Sequence, residues 1–162
     1  ELIIKKNLKK YYIFRVSWLF GYGKNNFVKK IIKNLISYDQ VSVVTDEFSS
    51  PTSSIDLVNL IKYIITERKI KYGLYHFNSY NKKISRFSFA KMISKILLIK
   101  GFSVAKISQT YINKSIRPKN TFLSTNKIYK HINYNKKRFK SNLNTMIEYY
   151  IKEFEKLKKV LF

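Results

Sequence analysis

The sequence of 162 residues has no cysteine, which excludes disulfides and thiolate metal sites. Glycine occurs only at 21, 23, 73 and 101, so no G-x-x-G-x-x-G strand–turn–helix for a dinucleotide can be present. Proline occurs twice and tryptophan once. Long apolar runs are also missing. Ile96 to Ile99 is among the longest, far too short to span a bilayer, so no membrane partner is expected. There is no G-x-S-x-G, no P-loop, and no His–carboxylate pair with metal-ligand spacing. Glu1 stands where a start Met would be expected, and no charged-then-apolar leader follows it. The chain is therefore expected to begin inside a longer protein, and its expected compartment is the cytoplasm.

Acidic residues are scarce as well: 9 Asp plus Glu against 33 Lys plus Arg give a net charge of +24. Such a charge draws anionic ligands and is compatible with nucleic acid. Only Arg15, Arg68, Arg86, Arg117 and Arg138 are arginines, however, and arginine is the residue shaped for bidentate base and phosphate contacts. The lysines are spread along the whole chain, and Asn, Ile, Tyr and Phe abound. That profile fits an AT-rich coding sequence better than a nucleic-acid interface. A hydrophobic content of 45% supports a folded domain with a core.

The hydrophobic spacing predicts alternating strands and helices. Residues 1–10 read as the end of a helix, Tyr11 to Val16 as a buried strand, and Ser17 to Lys24 as a loop. Phe27, Val28, Ile31, Ile32, Leu35 and Ile36 make one helical stripe, and Val41 to Val44 a strand. After the turn Ser49 to Thr52, Ser53 and Asp56 form a capping-box-like helix start. A strand Leu74 to Phe77, a helix Phe87 to Ile99, a strand near Val104 to Ile107 and a short helix Thr125 to Tyr129 follow. The Lys-rich stretch 135–140 reads as a solvated loop. Leu143, Met146, Ile147, Tyr150, Ile151, Phe154 and Leu157 define the last helix. This is an α/β pattern with parallel pairing wherever crossovers permit.

Within that pattern, Arg15-Val16-Ser17-Trp18-Leu19-Phe20-Gly21 resembles the R-T-S-W-x-Y/F-G signature of the dTDP-4-dehydrorhamnose reductase family, which lies in the extended short-chain dehydrogenase/reductase group. Asn26-Phe27-Val28 follows at the family's spacing. Residues 43–57, with Asp46-Glu47, Ser50-Pro51-Thr52 and Asp56-Leu57, resemble V-V-x-D-Q-x-G-S-P-T-x-x-x-D-L. Gly73-Leu74-Tyr75-His76-Phe77-Asn78 is similar to G-x-Y-H-x-x. Phe87-Ser88-Phe89-Ala90 is similar to W/Y-x-E/D-F-A, with Ser88 where an acid is common. Arg117-Pro118 opens a stretch similar to R-P-x-x-S/T, and Asn126-Lys127 resembles the family's N-x-K-like end. Six motifs in order cover about residues 1 to 130. The only Trp and both Pro sit inside them.

The resemblance implies the C-terminal half of an extended short-chain dehydrogenase/reductase Rossmann-like fold, with the small substrate-binding subdomain. Residues 1–162 would form a single C-terminal substrate-binding domain, with 1–45 a remnant of the Rossmann-like sheet and 46–162 mainly substrate subdomain and C-terminal helix. It implies a substrate-binding set of Trp18, Asn26, Pro51, Thr52 and Arg117, with Ser17 and Gly21 beside the cofactor. An indole face packs on a sugar's C–H surface, and a guanidinium grips a pyrophosphate bidentately. Thr52 is equally a candidate helix cap, Trp18 a candidate core residue, Arg117 a candidate surface ion pair, and His76 a packing residue.

The resemblance implies transfer of hydride to C4 of the sugar from the reduced form of NADP or NAD (NADPH or NADH), using a Tyr with a Lys four residues on. None of the thirteen tyrosines here has Lys at i+4, so no catalytic residue is assigned. The cofactor would be held mainly by a preceding half. Some members use a divalent ion such as magnesium, and no ligands for one are apparent. The partners expected are a nucleotide sugar and either that N-terminal half or a second copy. Two readings stay open: part of a reductase, inactive without its other half, or a non-catalytic binding module, as in the regulatory subunit of methionine adenosyltransferase. A basic nucleic-acid-binding domain ranks behind both.

Overall fold

Strands and helices alternate in the computed structural model, which describes residues 1–23, 25–67, 70–111, 117–132 and 138–161, the side chains of 157–161 excepted. The order is α1 (Leu2–Asn7), β1 (Tyr12–Val16), β2 (Leu19–Phe20), α2 (Phe27–Ser37), β3 (Gln40–Val44), β4 (Phe48–Ser49) and β5 (Thr52–Ser53). Then come α3 (Ser54–Glu67), β6 (Gly73–Phe77), β7 (Ile84–Ser85), α4 (Arg86–Ile99), β8 (Lys106–Thr110), α5 (Asn126–Tyr129) and α6 (Arg138–Leu161). The mixed α/β class is as expected.

Long crossovers make the pairs parallel. β1 runs beside β6, with Tyr12 opposite Gly73 and Val16 opposite Phe77. β3 runs beside β8, and the short β2 beside β5. β4 and β7 pair antiparallel, and Asn120 bridges to Phe48 on β4. The helical stripe of α2 buries Val28, Ile31, Ile32 and Leu35, and Asn26 caps its start by accepting the Lys29 N–H at 3.0 Å. On α6, Phe139, Leu143, Met146, Ile147 and Tyr150 are buried against the same core as α2 and α4.

Three expectations change. The strand expected at Val104 to Ile107 lies at Lys106–Thr110, because Ala105 and Lys106 donate to Leu35 and Asp39 carbonyls and lead into the register with β3. The capping box does not form. Ser53 belongs to β5 and its buried Oγ has no hydrogen-bond partner among the described residues, while Asp56 accepts from Asn142 Nδ2 of α6 at 2.6 Å. Of the expected loop 135–140, residues 138–140 open α6, and the rest lies outside the described residues.

One core joins α2, β3, α4 and α6, and the other joins β1, α3, β6 and α5. The chain crosses between them repeatedly. α1 buries no residue, and Leu2 and Ile3 are 82% and 78% exposed.

Candidate functional site

Loops from distant parts of the sequence meet beyond the carboxyl ends of β1 and β6, the end where open α/β sheets hold ligands. Leaving β1, the Ser17 carbonyl accepts from Thr52 Oγ1 at 2.8 Å, and the Trp18 carbonyl accepts the Thr52 N–H at 3.2 Å. Ser17 Oγ lies 3.0 Å from Thr121 Oγ1 and 2.6 Å from Ser49 Oγ. From the β6 side, Ser79 Oγ accepts the Ser53 N–H at 2.9 Å and Tyr80 N–H donates to the Pro51 carbonyl at 3.2 Å. Ser49, Ser50, Pro51, Thr52 and Ser53 are all buried. Small hydroxyl residues suit this crossing, since they fill little space and satisfy the buried backbone.

Trp18 sits at the centre of the crossing with φ +45°. A bulky side chain seldom adopts that conformation, which costs energy and persists only where its surroundings over-determine it. The two Thr52 bonds are that constraint. The half-buried indole stacks on Phe89, centroids 6.4 Å apart and planes within 13°.

The Arg86 guanidinium carbon lies 4.2 Å from the Trp18 ring centroid and 4.7 Å from that of Phe27. Its Nε donates to Glu47 Oε2 at 3.2 Å, and both side chains are shielded, 14% and 10% exposed. Burial pushes the guanidinium's pKa down from its usual value, Glu47 opposes this, and the neighbouring Arg117 adds to the depression. Arginine still stays charged at neutral pH. Arg117 is exposed, on a segment held beside β4 by the Phe48 N–H to Lys119 carbonyl bond at 2.7 Å.

The structure therefore gathers Ser17, Trp18, Pro51 and Thr52, with Arg117 at the rim. Asn26 and Gly21 play another part. Asn26 spends its oxygen on the helix cap, and its Nδ2 donates to the Gly21 carbonyl at 3.0 Å and Tyr150 Oη at 2.6 Å. A Cβ on Gly21 would lie 2.0 Å from Ser54 Oγ, so glycine is required there for close packing. His76 lies in β6 opposite Arg15, with Nε2 buried and without a hydrogen-bond partner among the described residues.

Sequence reading missed Arg86, Glu47, Ser49 and Thr121 as site residues. The available signals were the rarity of arginine and an acid, Glu47, standing at the Gln position of the D-Q motif.

Among the described residues no three His, Asp or Glu side chains gather to hold a metal ion, which gives magnesium no support. Among the described residues no helix is long and apolar enough to cross a membrane. Ser17 Oγ is occupied by Ser49 and Thr121, and the space over Gly21 is filled by Ser54. The arrangement offers an aromatic ring and two guanidinium groups, suited to recognising a sugar and an anion.

The chain shares its fold with the UDP-glucose 4-epimerase of Thermotoga maritima (TM-score 0.68, 13% identity, 94% of this chain and 50% of that one). It belongs to the RmlD substrate binding domain family, whose model matches residues 1–151.

It is 33% identical over 129 residues to the dTDP-4-dehydrorhamnose reductase of Aggregatibacter actinomycetemcomitans, covering 72% of this chain and 42% of that protein. The dTDP-4-dehydrorhamnose reductase of Bacillus anthracis, solved in complex with NADP, superimposes with TM-score 0.74 at 27% identity, over 90% of this chain and 50% of that one. The ortholog from Clostridium acetobutylicum gives TM-score 0.74 at 28% identity, over 91% and 51%. The chain thus spans about half the length of these relatives.

Proposed function

We propose that this chain is the sugar-nucleotide-recognition part of a dTDP-4-dehydrorhamnose reductase, the enzyme that reduces dTDP-4-dehydro-L-rhamnose to dTDP-L-rhamnose for cell-surface polysaccharide precursors. The carrying observation is Trp18, held at φ +45° beyond the carboxyl end of β1 by two bonds from Thr52. In this reading the indole packs on the hexose and Arg117 meets the diphosphate, with Pro51 and Thr52 fixing the loop beneath. Trp18 binds; it moves no proton.

The nicotinamide cofactor supplies hydride and is held by another half of the enzyme. The thirteen tyrosines here, none with Lys at i+4, support that division of labour. So does α1, whose bare Leu2 and Ile3 precede β1 in the sequence, a strand paired only with β6 among the described residues. A free strand edge and an apolar helix favour association, and the cofactor-binding half is the partner proposed.

Isothermal titration of the chain with dTDP-L-rhamnose tests recognition. One saturable site is expected, weakened by Trp18→Ala. Absence of heat at millimolar ligand, with native circular dichroism, would refute it.

A further inference from the structure

Arg86 is an expensive residue where it stands. It occupies the first position of α4, directly after the cap Ser85, where the helix dipole disfavours a cation. It is largely shielded from water, and shielding an ion costs several kcal/mol unless it is paired. Glu47 supplies the pair through the 3.2 Å Nε bond, and the Arg86 N–H also donates to the Glu47 carbonyl at 3.0 Å. β4 and β7 hold the two together, since Phe48, after Glu47, pairs with Ser85, before Arg86. The guanidinium so fixed lies against both Trp18 and Phe27.

The family's motifs sharpen the point. With Ser88 on the acid of W/Y-x-E/D-F-A, Arg86 falls on the aromatic position, and Glu47 falls on the Gln of D-Q. Both members of this ion pair therefore depart from the pattern together. Here a cation beside an anion stands at these two positions, and the cation faces the Trp18 ring.

We propose that Arg86 is a positioning residue for Trp18: anchored by Glu47, its guanidinium braces the indole and sets the ring face offered to the sugar. The proposal rests on the sugar-nucleotide reading for its ligand, but the bracing of the ring is measurable without any ligand. Removing only Arg86 takes a charged partner away from the shielded Glu47 carboxylate and threatens folding. The neutral double variant Glu47→Gln with Arg86→Met avoids this, and Arg86→Lys keeps the charge but not the flat stack.

Because Trp18 is the only tryptophan, its emission and acrylamide quenching report on this ring alone. In the full chain, the double variant should keep native far-UV circular dichroism. Its Trp18 should be more readily quenched, and it should bind dTDP-L-rhamnose about tenfold more weakly, a cation–π contact's worth. Arg86→Lys should fall between. Glu47→Gln with Arg86→Tyr, which restores the family's pair, should recover both readings.

Quenching and affinity like the wild type in the Met variant would overturn the proposal, as would failure of the Tyr variant to recover either. If the wild type shows no saturable change with dTDP-L-rhamnose, the sugar-nucleotide reading fails. Quenching alone then decides whether Arg86 braces Trp18.

Discussion

Adding one methyl group at Gly21 tests how tightly the loop after β1 is packed. A Cβ there would lie 2.0 Å from Ser54 Oγ and 2.7 Å from Ser54 Cβ. The hydroxyl can rotate away; the Cβ cannot, because Ser54 is the first residue of α3. Restoring an ordinary carbon–carbon contact needs a shift of about 1 Å. That shift drags the Gly21 carbonyl, which receives the Tyr150 hydroxyl at 2.5 Å and Asn26 Nδ2 at 3.0 Å.

Overpacking costs about 1–3 kcal/mol and a weakened hydrogen bond about 1 more. At about 2–4 °C per kcal/mol for a chain this size, Gly21→Ala should lower the melting temperature by about 5–15 °C. Differential scanning calorimetry gives the number. Two companions identify the cause. Ser54→Gly added to Gly21→Ala should return most of the loss, whereas Ser54→Ala, which keeps the Cβ, should return little. A Gly21→Ala melt within about 1 °C of the wild type, or equal rescue by both companions, would refute the packing account.

Three further outcomes are expected. Tyr150→Phe deletes the donor that ties α6 to the Gly21 carbonyl and should cost about 1–2 kcal/mol in urea unfolding. Asn142→Leu removes the partner of the buried Asp56 Oδ1 and should cost about 2–4 kcal/mol, with Asp56→Asn in the same background recovering part. Tyr129 has its pKa raised by burial and by Asp56, and its hydroxyl donates to the Asn78 carbonyl at 2.8 Å. Its folded pKa lies above its unfolded one, so its contribution is complete below about pH 10 and is lost as pH rises beyond that. Tyr129→Phe should therefore be less stable at pH 8 and show a shallower stability decline above pH 10.

Elements with a full hydrophobic period were legible in the sequence. α2 carried its stripe, though not its Asn26 cap, and α6 kept a 3–4 spacing over several turns. The two-residue strands β2, β4, β5 and β7 have no period to read and exist because loops cross there. Ser53 looked like a cap from spacing alone, but pairing with Leu19-Phe20 draws it into β5. The same limit applies to the site. Trp18, Thr52 and Arg117 announced themselves within motifs. Arg86 and Glu47 stand 39 positions apart and become one feature only when β4 meets β7. Asn26 carried the motif's spacing, yet the structure spends all its hydrogen bonds on the α2 cap, Gly21 and Tyr150.

The central claim is that these residues recognise a nucleotide sugar while hydride transfer depends on a separate cofactor-binding half. The direct measurement is NADPH absorbance during incubation of the purified chain with dTDP-4-dehydro-L-rhamnose. The account predicts no oxidation above the protein-free rate from the chain alone, and oxidation once a cofactor-binding half is supplied. Saturable NADPH oxidation by the chain alone would contradict it.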